Sequence, residues 1–172
     1  LAFLGRIAPE KRVDRAIEIA RAVGLPLKIA AKVDRVDEEY FRTAIKPLLA
    51  QPGIEYIGEI DDRTKSRFLG DARALLFPID RPEPFGLVLI EAMAAGVPVV
   101  ATNAPGIRDV VRDGQTGLLV PVASPEQLAI AIQRLVDQPA LRASLIRRAS
   151  QDVRDRFAWP VVIQQYVKVL EL

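Results

Sequence analysis

Two glutamates, Glu83 and Glu91, stand eight positions apart in 83-EPFGLVLIE-91, with an almost wholly apolar run between them. A carboxylate on an apolar helix is costly unless it finds a partner. If the run is helical, a rise of ~1.5 Å per residue separates the carboxylates by on the order of 10 Å or more. A glycosidase acid–base pair needs ~5 Å or ~6.5–9.5 Å. The spacing therefore argues against one shared bond-breaking event. It suits a grip on two parts of one long ligand, because carboxylates accept hydrogen bonds from sugar hydroxyls. The bland alternative is a Glu83 that favours the helix dipole and a Glu91 held in an ion pair. Phe85, Gly86 and Leu87 fall at the start of the helix, where backbone N–H groups are free. Gly86 there lets a ligand approach the backbone.

A second cluster is 5-GRIAPEK-11. Gly5 closes a strand, and Arg6 and Lys11 flank a short loop that leads into a helix. A guanidinium that clamps two oxygens, an ammonium and a helix N-terminus together suit a diphosphate. The bland alternative is a pair of solvated loop cations.

Several chemistries are excluded. The chain has no histidine and no cysteine, so imidazole bases, His-ligated metals, thiolates and disulfides are ruled out within it. It has no G-x-G-x-x-G, no G-x-x-x-x-G-K-[ST] and no G-x-S-x-G. The net charge of +2 comes without a basic run, so nucleic acid is not an expected partner. No stretch is long enough to span a bilayer, and the start does not resemble a signal peptide. The absence of cysteine suits a reducing cytosol, and a cytoplasmic location is expected.

The elements that position these residues follow from periodicity. The 172 residues, half of them hydrophobic, fit one domain with a substantial core. Strands are expected at 1–5, 26–31, 54–57, 74–77, 97–101 and 118–120. Helices are expected at 12–23, at 37–50 with a bend near Pro47, and at 61–70, 86–95, 125–137, 139–156 and 158–171. Strands alternating with helices predict an α/β, three-layer α/β/α sandwich around a six-stranded, mainly parallel sheet. Ligands in such folds bind beyond the carboxyl ends of the strands. That points to the loops 6–11, 58–62, 78–86 and 102–107. Phe68, Phe77 and Trp159 are expected to pack in the core.

The segment E-P-F-G-L-x-x-x-E-A-M-A-x-G-x-P-V-V, preceded by G-R-x-x-x-x-K, resembles the C-terminal domain of retaining glycosyltransferases built from two Rossmann-like domains, the GT-B fold. It is most similar to family 4, the group with the E-x7-E motif. The likeness covers nearly the whole chain, including 57-IGEI-60, 114-GQTGLLV-120 and the closing F-x-W…Y helix. The resemblance implies a nucleoside diphosphate sugar as substrate, with no cofactor and no metal. Arg6 and Lys11 then hold the diphosphate and stabilise the leaving group. Glu83 faces the donor sugar, and Glu91 binds the ribose hydroxyls. Gly5 and the Phe85–Leu87 turn complete the sugar and phosphate contacts, and Ile60, Asp62 and Lys65 form the nucleobase edge. One departure is 105-PGIRD-109, where many members carry G-G-x-x-E; Asp109 is a shorter acid. The family's N-terminal acceptor domain usually carries an active-site histidine, so this chain is expected to be a fragment or excised domain. It should bind donor without turning it over. Helix 158–172 would cross back to the missing domain. The resemblance also allows a membrane-peripheral parent and a dimer through the exposed interdomain surface. The alternative is a non-catalytic nucleotide-binding or interaction module on the same fold.

Overall fold

Strand side chains alternate between the two faces of a sheet, and here both faces are apolar. In a computed structural model that describes residues 1–170, Phe3, Ile29, Leu76 and Val100 enter one core cluster with Ile17 and Ile132. Their neighbours Leu4, Ala30, Leu75 and Val99 enter a second with Leu69, Leu89 and Met93. The sheet is thus a middle layer with helices on either side. Ile29 is fully buried, and removing one methyl there leaves a small void. Ile29→Val is expected to lower stability by about 1 kcal/mol. Urea denaturation should show a lower midpoint at unchanged slope; an unchanged midpoint would contradict tight packing at this position.

The strands are β1 (Ala2–Ile7), β2 (Leu27–Val33), β3 (Ile54–Gly58), β4 (Leu75–Phe77), β5 (Val99–Thr102) and β6 (Leu118–Val120). Their order is β3-β2-β1-β4-β5-β6, and every pairing is parallel. This is the doubly wound order, which reverses direction between β1 and β4. Those two strands pair at Ala2–Leu75, and a cleft opens beyond them at the carboxyl end of the sheet.

The helices are α1 (Val13–Ala22), α2 (Glu38–Tyr40), α3 (Lys46–Leu49), α4 (Asp62–Gly70), α5 (Leu87–Ala94), α6 (Ile107–Val110), α7 (Pro125–Asp137), α8 (Pro139–Arg156) and α9 (Trp159–Leu170). Prolines at the first positions of α7 and α8 lack an N–H that would have no partner there anyway. The bend expected near Pro47 is a π-helical segment, Phe41–Ile45, between α2 and α3. Pro47 cannot donate to the carbonyl four residues back, so the ladder widens upstream of it. Asp61 caps α4: its carboxylate accepts from the Thr64 N–H at 2.9 Å.

Two expectations need correction. Arg6 is not in a loop, because β1 continues to Ile7 through ladder pairs Arg6–Lys32 and Ile7–Val33. Trp159 is not in the core. It is 78% exposed, and Ile163, Tyr166 and Val169 are exposed on the same helix. Among its described residues, α9 buries none. Phe77 is buried, as expected, and Phe68 is partly so. The short helix α6 and an Asp113–Gly117 bridge lie within what reads in the sequence as one loop.

Candidate functional site

The cleft at the β1/β4 switch point has a volume of about 760 Å³, within the usual range for a small-molecule site. All eleven residues expected at the site line it: Gly5, Arg6, Lys11, Ile60, Asp62, Lys65, Glu83, Phe85, Gly86, Leu87 and Glu91. Residues separated by up to 86 positions are thus brought to one place by the ends of β1, β3 and β4. Three of the four expected loops form its walls. The fourth, 102–107, does not line it. It braces the β4–α5 loop instead, with the Glu83 N–H donating to the Pro105 carbonyl at 3.1 Å. Asp109 does not line the cleft either; its carbonyl accepts from Arg156 at 2.6 Å.

Each of the two glutamates meets a lysine. Lys11 donates to Glu83, with both side chains more than four-fifths buried. Lys65, on α4, donates to Glu91 at 3.3 Å and also pairs with Asp62 at 2.8 Å. The hydrogen bond to Asp62, with Glu91 adding to it, raises the Lys65 pKa above its ordinary value. The apolar neighbours of Glu91 therefore do not leave it unpaired, and the ion-pair reading of that residue holds. Both pairs are reachable from the cleft, so each carboxylate can exchange its ammonium for hydroxyl donors.

Arg6 and Lys11 share the cleft, but Arg6 does not point with Lys11 toward one oxygen site. Its guanidinium donates to Asp34 at 3.1 Å and Glu10 at 3.4 Å, and the side chain is 47% exposed. The Asp34 hydrogen bond raises its pKa. Lys11 lies 5.7 Å above the Phe77 ring on the cleft floor. Lys11 ends a 3-10 turn, Pro9–Lys11; α1 begins only at Val13, after Arg12.

The start of α5 carries the middle of the site. Gly86 is its N-cap with φ 75° and ψ 62°, a left-handed conformation that favours glycine. A Cβ there would meet Leu89 Cδ1 at 2.9 Å. Phe85 packs edge-on against Phe157, centroids 5.6 Å apart, while Leu87 is exposed. The first N–H groups of α5 lie between the two glutamates, where an anion would be stabilised.

Sequence reasoning missed the residues that hold the β4–α5 loop. Arg15 is buried and donates to the Pro78 carbonyl at 3.3 Å. The Thr102 hydroxyl donates to the Ile79 carbonyl at 2.6 Å. Arg12 reaches Asp80 at 2.8 Å. Arg15 did leave a signal: it interrupts the apolar stripe of Val13, Ala16, Ile17 and Ala20 with a charge. Among the described residues, no group of three or more Asp or Glu comes together to hold a metal. No helix among them is long and apolar enough to cross a membrane.

The family model for "Glycosyl transferases group 1" matches residues 1–152. The chain is similar to the phosphatidyl-myo-inositol mannosyltransferase of Mycolicibacterium smegmatis, 36% identical over 98% of this chain and 44% of the relative. It is also similar to the glycogen synthase of Mycobacterium tuberculosis, 30% identical over 94% of this chain and 40% of the relative. The fold matches Anabaena HepE in complex with UDP at a TM-score of 0.88 and 22% identity, covering 99% of this chain and 48% of that one. It matches the sucrose-phosphate synthase of Thermosynechococcus elongatus at 0.84 and 26% identity, over 99% and 44%. The chain thus spans less than half the length of these relatives.

Proposed function

Since the chain belongs to the group 1 glycosyl transferases, we propose that it is the donor-binding, C-terminal half of a retaining, family 4 hexosyltransferase of the GT-B fold. The observation that carries this reading is the cleft at the switch point, with a lysine-paired glutamate on each side of the α5 N-terminus. Glu91 takes the ribose hydroxyls, with Ile60, Asp62 and Lys65 at the base. The α5 start, Gly5, Lys11 and Arg6 take the diphosphate, and Glu83 takes the sugar. Arg6 reaches the phosphates by leaving Asp34 and Glu10, a modest demand for an exposed ion pair.

Transfer then breaks the bond between the anomeric carbon and the diphosphate oxygen and forms one between that carbon and an acceptor hydroxyl oxygen, whose proton passes to the departing diphosphate. The negative charge that develops on the leaving group falls among Lys11, Arg6 and the α5 N–H groups, which are already in place. No metal is invoked. Retention is read as proceeding without a covalent carboxylate: Glu83, the carboxylate assigned to the sugar, is held by Lys11 and accepts hydrogen bonds from hydroxyls. The acceptor sits on an N-terminal half, and the apolar face of α9 is the surface that half would cover; in the isolated chain the same face would pair two copies. The hexose is in keeping with the name of the mannosyltransferase relatives. The lipid in that name supports a parent working beside a membrane, and the absence of cysteine suits the cytoplasm.

A thermal-shift series with UDP-, GDP- and ADP-sugars, with EDTA present throughout, tests the reading. A ligand at about 100 times its Kd stabilises the native state by about 2.7 kcal/mol. For a chain of this size that raises Tm by roughly 5–10 °C. One nucleotide series is expected to do so, without glycoside formation. No shift with any of the three would overturn the donor-site reading, and turnover by this chain alone would overturn the division of labour.

A further inference from the structure

We propose that Arg12 and Asp80 are positioning residues that set the gap between the loop carrying Lys11 and the loop carrying Glu83. The inference rests on the donor-site reading above. Three cations in sequence order, Lys11, Arg12 and Arg15, reach across to Glu83, Asp80 and the Pro78 carbonyl in reverse order. The outer two contacts are accounted for: Lys11 and Glu83 are in the cleft, and Arg15 is a buried anchor. The middle contact is not. Neither Arg12 nor Asp80 lines the cleft, yet their ion pair is 2.8 Å long and about three-quarters buried.

The backbone of Arg12 is itself unusual. Its φ of 54° and ψ of 50° are left-handed, a state that residues with a Cβ avoid. Such a conformation persists where its surroundings over-determine it. Here the guanidinium forks between Asp14, at 2.8 and 3.0 Å, and Asp80. The fork ties the start of α1 to the β4–α5 loop. The left-handed turn at Arg12 ends the 3-10 segment and so sets where the preceding Lys11 points. Asp80, three residues before Glu83, is fixed by the same guanidinium.

The latch matters most when donor is bound. Lys11 and Glu83 hold each other directly. With donor in place, Lys11 turns to phosphate oxygens and Glu83 to sugar hydroxyls, and their direct contact opens. The Arg12–Asp80 pair, closer to the cleft than the Arg15 anchor at Pro78, then keeps the phosphate-to-sugar distance. Arg15 and Thr102 hold Pro78 and Ile79, and Pro105 holds Glu83, so the fold survives loss of the latch.

Arg12→Gly keeps the left-handed turn and removes the guanidinium; Asp80→Asn keeps the shape and removes the charge. Calorimetry on the 172-residue chain would compare each variant and the double variant with wild type. The probes are UMP, UDP and UDP-glucose, or their guanosine counterparts GMP, GDP and GDP-mannose if wild type prefers that base. Affinity for the monophosphate should stay within twofold. Affinity for the nucleotide sugar should fall about tenfold in each single variant, and the double variant should be no worse than either, as expected for one shared contact. Variants that bind the nucleotide sugar as wild type does would overturn the latch while leaving the donor site intact. Equal loss of all three probes would show a merely structural role. A wild-type chain that binds none of the probes would overturn the donor-site reading and the latch with it.

Discussion

Gly106→Ala is expected to lower Tm by roughly 6–12 °C and to abolish nucleotide-sugar binding together. Gly106 has φ +84°, and a Cβ built on it would lie 1.6 Å from the Glu83 carbonyl oxygen and 2.9 Å from the Glu83 carbonyl carbon. Both are backbone atoms, so no side-chain rotation relieves the clash. Either the β5–α6 loop or the Glu83 loop must move, and the Glu83 N–H bond to the Pro105 carbonyl breaks in either case. A lost backbone hydrogen bond of about 1 kcal/mol adds to about 1–3 kcal/mol for an alanine forced into a sparsely populated φ/ψ region, here φ 84° and ψ −39°. A total near 3 kcal/mol corresponds to the Tm change given, at roughly 2–4 °C per kcal/mol. Donor binding fails for a separate reason: Glu83 travels with the displaced segment. Thermal unfolding and calorimetry on one sample check both effects. A variant with wild-type Tm and wild-type donor affinity would show that the two loops are not in contact as described.

Loop 102–107 illustrates how far the sequence alone reaches. The doubly wound rule correctly places this loop at the carboxyl end of β5, but it cannot say which carboxyl-end loops face the ligand and which brace those that do. That depends on the separation of β1 and β4 and on the Pro105–Glu83 contact, which joins residues 22 apart in the chain. The helices were legible where local chemistry dominates. Pro125 and Pro139 mark the starts of α7 and α8, Asp61 caps α4, and Pro47 announces the irregular turn before it. The E-x7-E spacing likewise follows from one helix and its approach loop. The partners of those glutamates are another matter. Lys11 is 72 positions from Glu83, and Lys65 is 26 from Glu91; only the strand order β3-β2-β1-β4 brings them together. Arg12 carries no local sequence signature for its left-handed turn, and its partner Asp80 lies 68 positions away. Residue type alone predicts a buried Trp159, whereas most of its surface is uncovered among the described residues.

Glu91→Ala is expected to weaken binding of the preferred nucleoside diphosphate by about 30- to 150-fold. The proposed role has this carboxylate accepting from two ribose hydroxyls. Hydrogen bonds to a charged acceptor contribute about 1.5–3 kcal/mol each. Part of that is offset, since Glu91 is a third exposed and gives up Lys65 to bind. A net loss of about 2–3 kcal/mol gives the stated range. Stability should change little, because Lys65 keeps Asp62 at 2.8 Å and the Glu91 side chain contributes little to the core. This separates Glu91 from Gly106: one variant loses ligand with its fold intact, and the other loses both. Glu91→Gln sharpens the test, because an amide keeps the shape and one acceptor oxygen but not the charge, and it should fall between wild type and alanine. The sugar portion offers a further contrast. Losses caused by Glu91→Ala should be equal for the nucleoside diphosphate and its sugar, because the ribose is common to both. Losses caused by Glu83→Ala should be confined to the sugar-bearing ligand. Calorimetric affinities for UDP or GDP within twofold of wild type would remove Glu91 from the ligand and reduce its pair with Lys65 to a surface link between α4 and α5.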